Sequence, residues 1–258
     1  TRTMDYFAWY RDIADEFRAD NGFVPQVGYR RGWLEGGRTW RPTEGRLRRI
    51  RTFLIVNSDF ERDGDLISRR IMPGVAMDAF WNSFIRFEGQ FDEVRAGDET
   101  FERNRLGYVI EGSPARVLNR IGINGAIGDE VDFANERPGT GGTVNGFATI
   151  RPSDHMELRF NGSYRWLDVD TEDLGSGRLF TALVARLRAQ YTFSARLYLR
   201  LIGQWVETER DPSLYTFEVD RRVALPGTRD RDRRAQRASP VESRSRVAIG
   251  WSRVLLRH

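Results

Sequence analysis

Apolar and polar residues alternate one by one over unusually long stretches of this chain, and a period of two admits β-strands and little else. From His155 to Val169, one side carries Met156, Leu158, Phe160, Gly162, Tyr164 and Trp166, and the other Glu157, Arg159, Asn161, Ser163 and Arg165. Arg178–Phe193 puts Leu179, Leu183, Ala185, Leu187, Ala189, Tyr191 and Phe193 on one side, against Arg186, Arg188 and Gln190. Arg196–Thr208 sets Leu197, Leu199, Leu201, Gly203 and Trp205 against Arg196, Arg200 and Gln204. The same pattern runs through Leu47–Phe60 (Ile50, Leu54, Val56, Phe60 against Arg49, Arg51, Asn57, Asp59) and Phe80–Val94 (Trp81, Ile85, Phe87, Phe91 against Asn82, Arg86, Glu88, Gln90). In Val117–Gly128 it sets Val117, Ile121, Ile123 and Ile127 against Arg120 and Asn124. Weaker strands fit Trp33–Pro42, Leu66–Met77, Leu106–Gly112 and Thr143–Arg151. The chain therefore reads as an all-β, antiparallel up-and-down meander of about ten long strands.

Strand length separates two solvents. Strands of soluble proteins cluster near ~5–6 residues, whereas strands that cross a bilayer need ~9–11 and often project further. Several strands here are of the second kind. The connections point the same way. Short turns are expected near Thr43–Arg46, Pro73–Asp78, Gly112–Arg116, Pro152–Asp154 and Ser194–Ala195. Longer polar loops are expected near Asp59–Asp65, Arg95–Asn104, Asp129–Gly142, Asp170–Gly177 and Glu209–Ser213. One tight end and one loopy end is how outer-membrane β-barrels are built. On that reading the chain is part of such a barrel in a Gram-negative outer membrane, with membrane lipid as its partner. Trp166 and Trp205 would lie at the loop rim and Tyr191 and Phe193 at the turn rim, with Trp81 completing the aromatic girdle. The lumen would be lined by Arg86, Glu88, Arg120, Glu157, Arg159, Arg165, Arg186, Arg188, Arg200 and Gln204, paired with one another or wetted.

Residues 1–32 are expected to form a loop segment with one short helix, because Tyr6, Tyr10, Ile13 and Phe17 recur at helical spacing over Asp5–Ala19, with Asn21-Gly22 as a stop. The strands are placed in residues 33–222. Residues 223–258 read as an irregular Arg-rich tail, a solvated run or the product of a reading-frame shift, since the alternation stops and an aromatic-ended last strand is missing. The sequence is read as a fragment, with the sheet edges expected near Trp40 and Leu201.

Composition excludes several functions. Mean hydropathy is −0.56 and no apolar run is long enough for a spanning helix. There is no cysteine, hence no disulfide or thiolate metal site. The net charge of +4 invites a nucleic-acid reading, but residues 223–258 hold nine of the 41 basic residues and three of the 37 acidic ones. The first 222 residues then carry 32 basic against 34 acidic groups, so no nucleic-acid partner is expected. No cofactor is implied. His155 and His258 are the only histidines, and Asp154-His155 reads as a turn rather than a catalytic pair. No hydrolase or nucleotide-binding motif occurs, so no catalytic residue is assigned and enzyme activity stays open. Asp168, Asp170 and Glu172, beside Asp173, are a weak calcium-loop candidate. Gly122, Gly125 and Gly128 fit relief of crowding within a strand better than phosphate binding.

The stretch RLRAQYTFSARLYLRLIGQWVETERDPSLYTFEV at Arg186–Val219, with FRADNGFV at Phe17–Val24 and TWRP at Thr39–Pro42, resembles a bacterial family of unknown function. In that family a domain similar to carbohydrate-binding family 9 precedes a long part of the outer-membrane barrel type. The resemblance spans roughly residues 5–220 and implies a sugar-binding domain upstream, with carbohydrate or polysaccharide as its partner. It carries over no catalytic residue. The expectation is a barrel segment that anchors, or forms a pore for, a surface carbohydrate-handling protein. The alternatives are a fragment of a carbohydrate-active hydrolase or a soluble all-β binding domain.

Overall fold

The computed structural model describes residues 3–18, 26–171, 175–215 and 246–251. They form one antiparallel sheet in which every strand pairs with its neighbours in sequence. Eleven strands follow one another: β1 (Met4–Ile13), β2 (Tyr29–Trp40), β3 (Arg49–Glu61), β4 (Leu66–Asp78), β5 (Phe84–Ala96), β6 (Glu99–Gly112), β7 (Leu118–Asp132), β8 (Arg137–Ser153), β9 (Met156–Thr171), β10 (Gly175–Ser194) and β11 (Leu197–Arg210). A twelfth, β12 (Arg246–Trp251), pairs with β11. Among the described residues the sheet is open, with β1 and β12 each paired on one side only. The edges are therefore not near Trp40 and Leu201: Trp40 pairs with Ile50 and Leu201 with Trp251.

All ten strands expected from the alternation are present. The N-terminal helix is not. Its residues Asp5–Ile13 belong to β1, paired in continuous register from Met4↔Arg38 to Ile13↔Tyr29. The spacing of Tyr6, Tyr10 and Ile13 is shared by helix and chance, but Tyr6, Phe7, Trp9 and Tyr10 are aromatic residues that favour a pleated surface. Cross-strand pairing then decides, with Trp9 directly opposite Trp33 and the two rings stacked 6.3 Å apart. β1 and the first residues of β2 thus extend the sheet into the stretch read as loop. Within the tail, Arg246–Trp251 is likewise a strand rather than irregular chain; the rest of 223–258 lies outside the described residues.

The contrast between short turns and long loops fails between β3 and β11. Arg95–Asn104 shrinks to Gly97-Asp98, and Asp129–Gly142 is mostly strand, connected by residues 133–136. Pro73 and its neighbours, read as a turn, lie inside β4, where the pairing to β5 lapses between Ile71 and Gly74. The polar residues that look like loop in the sequence are strand ends whose charges are paired across the sheet.

Glycines within strands make room for neighbours. A Cβ on Gly74 would lie 2.3 Å from the Phe53 ring, and one on Gly122 2.5 Å from Phe147. At Gly125 the obstacle is backbone, the Thr143 carbonyl oxygen at 1.9 Å. A ring can swing aside and a paired strand cannot. Gly125→Ala is therefore expected to destabilise by about 1–3 kcal/mol and Gly122→Ala by less, read from denaturant midpoints of the two variants side by side. Equal midpoints would contradict this.

Candidate functional site

The register divides the side chains into two faces. All ten polar residues expected on one face lie on it: Arg86 and Glu88 on β5, Arg120 on β7, Glu157, Arg159 and Arg165 on β9, Arg186 and Arg188 on β10, and Arg200 and Gln204 on β11. Of the expected girdle, Trp166, Tyr191 and Trp205 lie on the opposite, apolar face, and Phe193, at a break in register after Thr192, packs its ring against Tyr191. Trp81 is not in a strand. It sits at the tip of the β4–β5 turn with φ 57° beside Asn82 at φ 48°, closed by a hydrogen bond from Ser83 N to Phe80 O of 3.0 Å. A bulky residue in the left-handed region is strained, and Trp81 is held edge-on against Phe80, with ring centroids 4.7 Å apart.

One face buries charged side chains, and the other exposes aliphatic ones. The buried residues include Asp59, Asp92, Arg103, Glu130, Asp132 and Arg137, all on the polar face. On the apolar face Leu34, Leu54, Phe91, Leu106 and Leu187 are exposed, Leu187 at 50%. Buried charge demands partners, and here they come from neighbouring strands. Asp92 receives Arg70 from β4 (2.5 Å) and both Arg103 (3.0 Å) and Arg105 (2.6 Å) from β6. Glu130 on β7 takes the other ends of Arg103 (3.3 Å) and Arg105 (3.1 Å). Asp59 accepts a two-pronged hydrogen bond from Arg31, at 2.5 and 2.8 Å, and one from the Ser68 hydroxyl. Asp132 pairs with Arg137 at 2.9 Å. A belt of ion pairs thus crosses β2–β8 near the end of the sheet that carries the β3–β4 and β5–β6 turns.

The same face holds apolar residues that alternation did not assign to it. Phe53, Ile55, Met72 and Ala76 form a buried cluster with Trp33 and Phe84 against it. The guanidinium of Arg86 lies 4.5 Å from the Phe53 ring centroid. β3 is apolar on both faces at this level, so a period of two cannot say which side is which. Leu179, expected among the apolar-face residues, falls at a bulge between Arg178 and Phe180 and is buried with Leu167, Val169 and Leu214. Leu214 belongs to a single 3₁₀ turn, Pro212–Leu214, that follows β11. Asp211 caps it, accepting from the Ser213 hydroxyl and amide, which hold the Asp211 carboxyl below its usual range. Arg137 donates to the Leu214 carbonyl, so this turn is tied onto the rim of the polar face. Leu214→Ala is expected to cost about 2–5 kcal/mol by emptying that cluster, and a denaturation midpoint equal to the parent's would refute the packing role.

The apolar face has its own order. On β3–β11 its central positions carry no charge, for example Ile71, Pro73, Val75 and Met77 on β4 or Leu183, Ala185, Leu187, Ala189 and Tyr191 on β10. Charge on this face lies toward the strand ends, with Asp129 on β7, Glu207 on β11 and the ion pairs Arg69–Glu93 and Arg178–Asp168. Trp166 stands opposite Thr181 and stacks obliquely on Tyr164, while Tyr191 and Phe193 pack edge to face ten or more residues along β10.

The weak calcium candidate lies partly outside the described residues, which leave out Glu172 and Asp173. Asp168 is engaged by Arg178. Three other carboxylates, Glu61 at the end of β3 and Asp63 and Asp65 in the β3–β4 connection, come within 4.8 Å of one another, and Arg95 pairs with two of them. Asp154-His155 forms the β8–β9 turn, where the His155 ring contacts the Thr192 carbonyl at 2.8 Å and Asp154 pairs with Arg116. Comparison with family models, with curated proteins and with solved structures gives no match.

Proposed function

We propose that this chain is a membrane-embedded β-sheet segment of the outer-membrane barrel type, whose apolar face meets lipid and whose ionic face meets water. The observation that carries this reading is the inversion of burial, with paired charge inside and aliphatic side chains outside. In water such a surface would be a liability of the kind that aggregates; in a bilayer it is the required one. The dimensions agree. From the level of Trp166, opposite Thr181, to Tyr191 is ten residues of β10. At ~3.3 Å per residue and a ~40° tilt this spans about 25 Å, the height of a lipid-facing band between aromatic girdles.

Anchoring of, or pore formation for, a surface carbohydrate-handling protein is the role this reading favours. The link to carbohydrate rests on the family resemblance of Arg186–Val219, Phe17–Val24 and Thr39–Pro42 alone. The test is extraction and gel mobility of the expressed chain. A barrel segment requires detergent for extraction and migrates differently before and after boiling. Full solubility without detergent and a single mobility would favour the soluble all-β domain instead.

A further inference from the structure

The ionic face is balanced over β4–β8 and unbalanced over β9–β11. At Asp92 and Glu130 each guanidinium has a carboxylate. On β9–β11 the polar face presents Arg159, Arg165, Arg186, Arg188, Arg200 and Arg210, and the carboxylate among them is Glu157. Glu157 is already shared between Arg159 (2.6 Å) and Arg151 of β8 (2.7 Å). Arg188 and Arg200 converge on one neutral oxygen, Gln190 Oε1, at 3.2 Å and at 3.0 and 3.1 Å. Arg188 Nε is buried without a hydrogen-bond partner. Arg186 is exposed and forms no ion pair or hydrogen bond among the described residues.

The register makes this crowding costly. Arg188 stands directly opposite Arg159, and Arg186 is two residues along the same face of β10. Like charges directly opposite one another in an antiparallel pair destabilise it. Around them Asn161 and Gln204, which flank Arg186 across the sheet, add neutral hydrogen-bonding groups. Planar guanidiniums on adjacent strands, with donors to spare, match the oxygens of a multiply charged anion.

We propose that Arg159, Arg186, Arg188 and Arg200 form a binding site for a small soluble polyanion of the phosphate or carboxylate class. The site depends on the polar face alone and stands whether or not the opposite face meets lipid. The anion neutralises the surplus charge and takes hydrogen bonds that Gln190 and Glu157 cannot saturate.

The experiment is calorimetric titration of the folded full chain in non-ionic detergent with sodium pyrophosphate, and separately with citrate. At least one of the two is expected to bind saturably, one per chain, more weakly as salt is raised. Arg186→Gln removes a group with no partner among the described residues, so it is expected to keep the parent's circular dichroism while binding weakens about tenfold, the loss of one charge-assisted hydrogen bond. Arg69→Gln, in an ion pair on the opposite face, is expected to bind like the parent. Absence of saturable binding of either anion at millimolar concentration would overturn the proposal, as would Arg186→Gln binding like the parent. Because the readout is anion binding, it is separate from the extraction test: a chain soluble without detergent could still bind the anion, and a chain that inserts in lipid could fail to.

Discussion

Asp92→Ala is expected to be the most damaging single change in the polar face, costing about 3–5 kcal/mol of stability. Asp92 has a side chain 2% exposed and receives three guanidiniums from two strands. Removing it leaves Arg103 and Arg105 facing each other with only Glu130 between them. The cost is that of uncompensated buried charge more than of lost attraction, which gives a second expectation. Removing the charge from Asp92 and Arg103 together, as Asp92→Leu with Arg103→Met, should recover much of the loss, since apolar replacement of buried ion pairs is often tolerated. An exposed pair provides the scale: Arg69→Gln, opposite Glu93, should cost no more than about 1 kcal/mol. Guanidinium denaturation of the four chains checks all of this, and equal losses for Asp92→Ala and Arg69→Gln would sink the account of the belt.

Leu187→Arg carries the second large effect, and its size depends on the solvent outside. Leu187 is on the apolar face of β10, between Phe160 and Gly203 and midway between the levels of Trp166 and Phe193. An arginine at the midplane of a bilayer costs about 2–4 kcal/mol on the lipid face of a barrel. In water the same half-exposed position would tolerate it, within about 0.5 kcal/mol. Unfolding measured for parent and Leu187→Arg in lipid vesicles is expected to show the larger figure. A loss below 1 kcal/mol would mean that this face is wetted.

The strands and their two faces were legible because a period of two survives wherever one face is charged and the other aliphatic. Arg186, Arg188 and Gln190 against Leu187, Ala189 and Tyr191 leave one solution. Where both faces are apolar the signal vanishes, as at Phe53 and Ile55, whose burial beside Met72 is a fact of cross-strand packing. A single bulge at Leu179 reverses a residue that simple alternation places outside. β1 was hidden because its aromatic residues satisfy a helical spacing as well as a strand, and pairing with β2 decides. The ion-pair belt was missed for a different reason. Arg103 and Glu130 sit in polar stretches that resemble loops, and only register brings them to Asp92 from other strands. No local property of Asp92 marks it as their shared partner.

The most direct test of the central claim exploits the absence of cysteine from the chain. Single cysteines at each position from Thr181 to Phe193, labelled with a nitroxide and measured in lipid vesicles, report access to oxygen in lipid and to a nickel complex in water. The account predicts alternation with a period of two: positions 183, 185, 187, 189 and 191 accessible from lipid, and positions 182, 184, 186, 188 and 190 from water. Nickel access at both sets of positions, with no lipid-accessible phase, would contradict it.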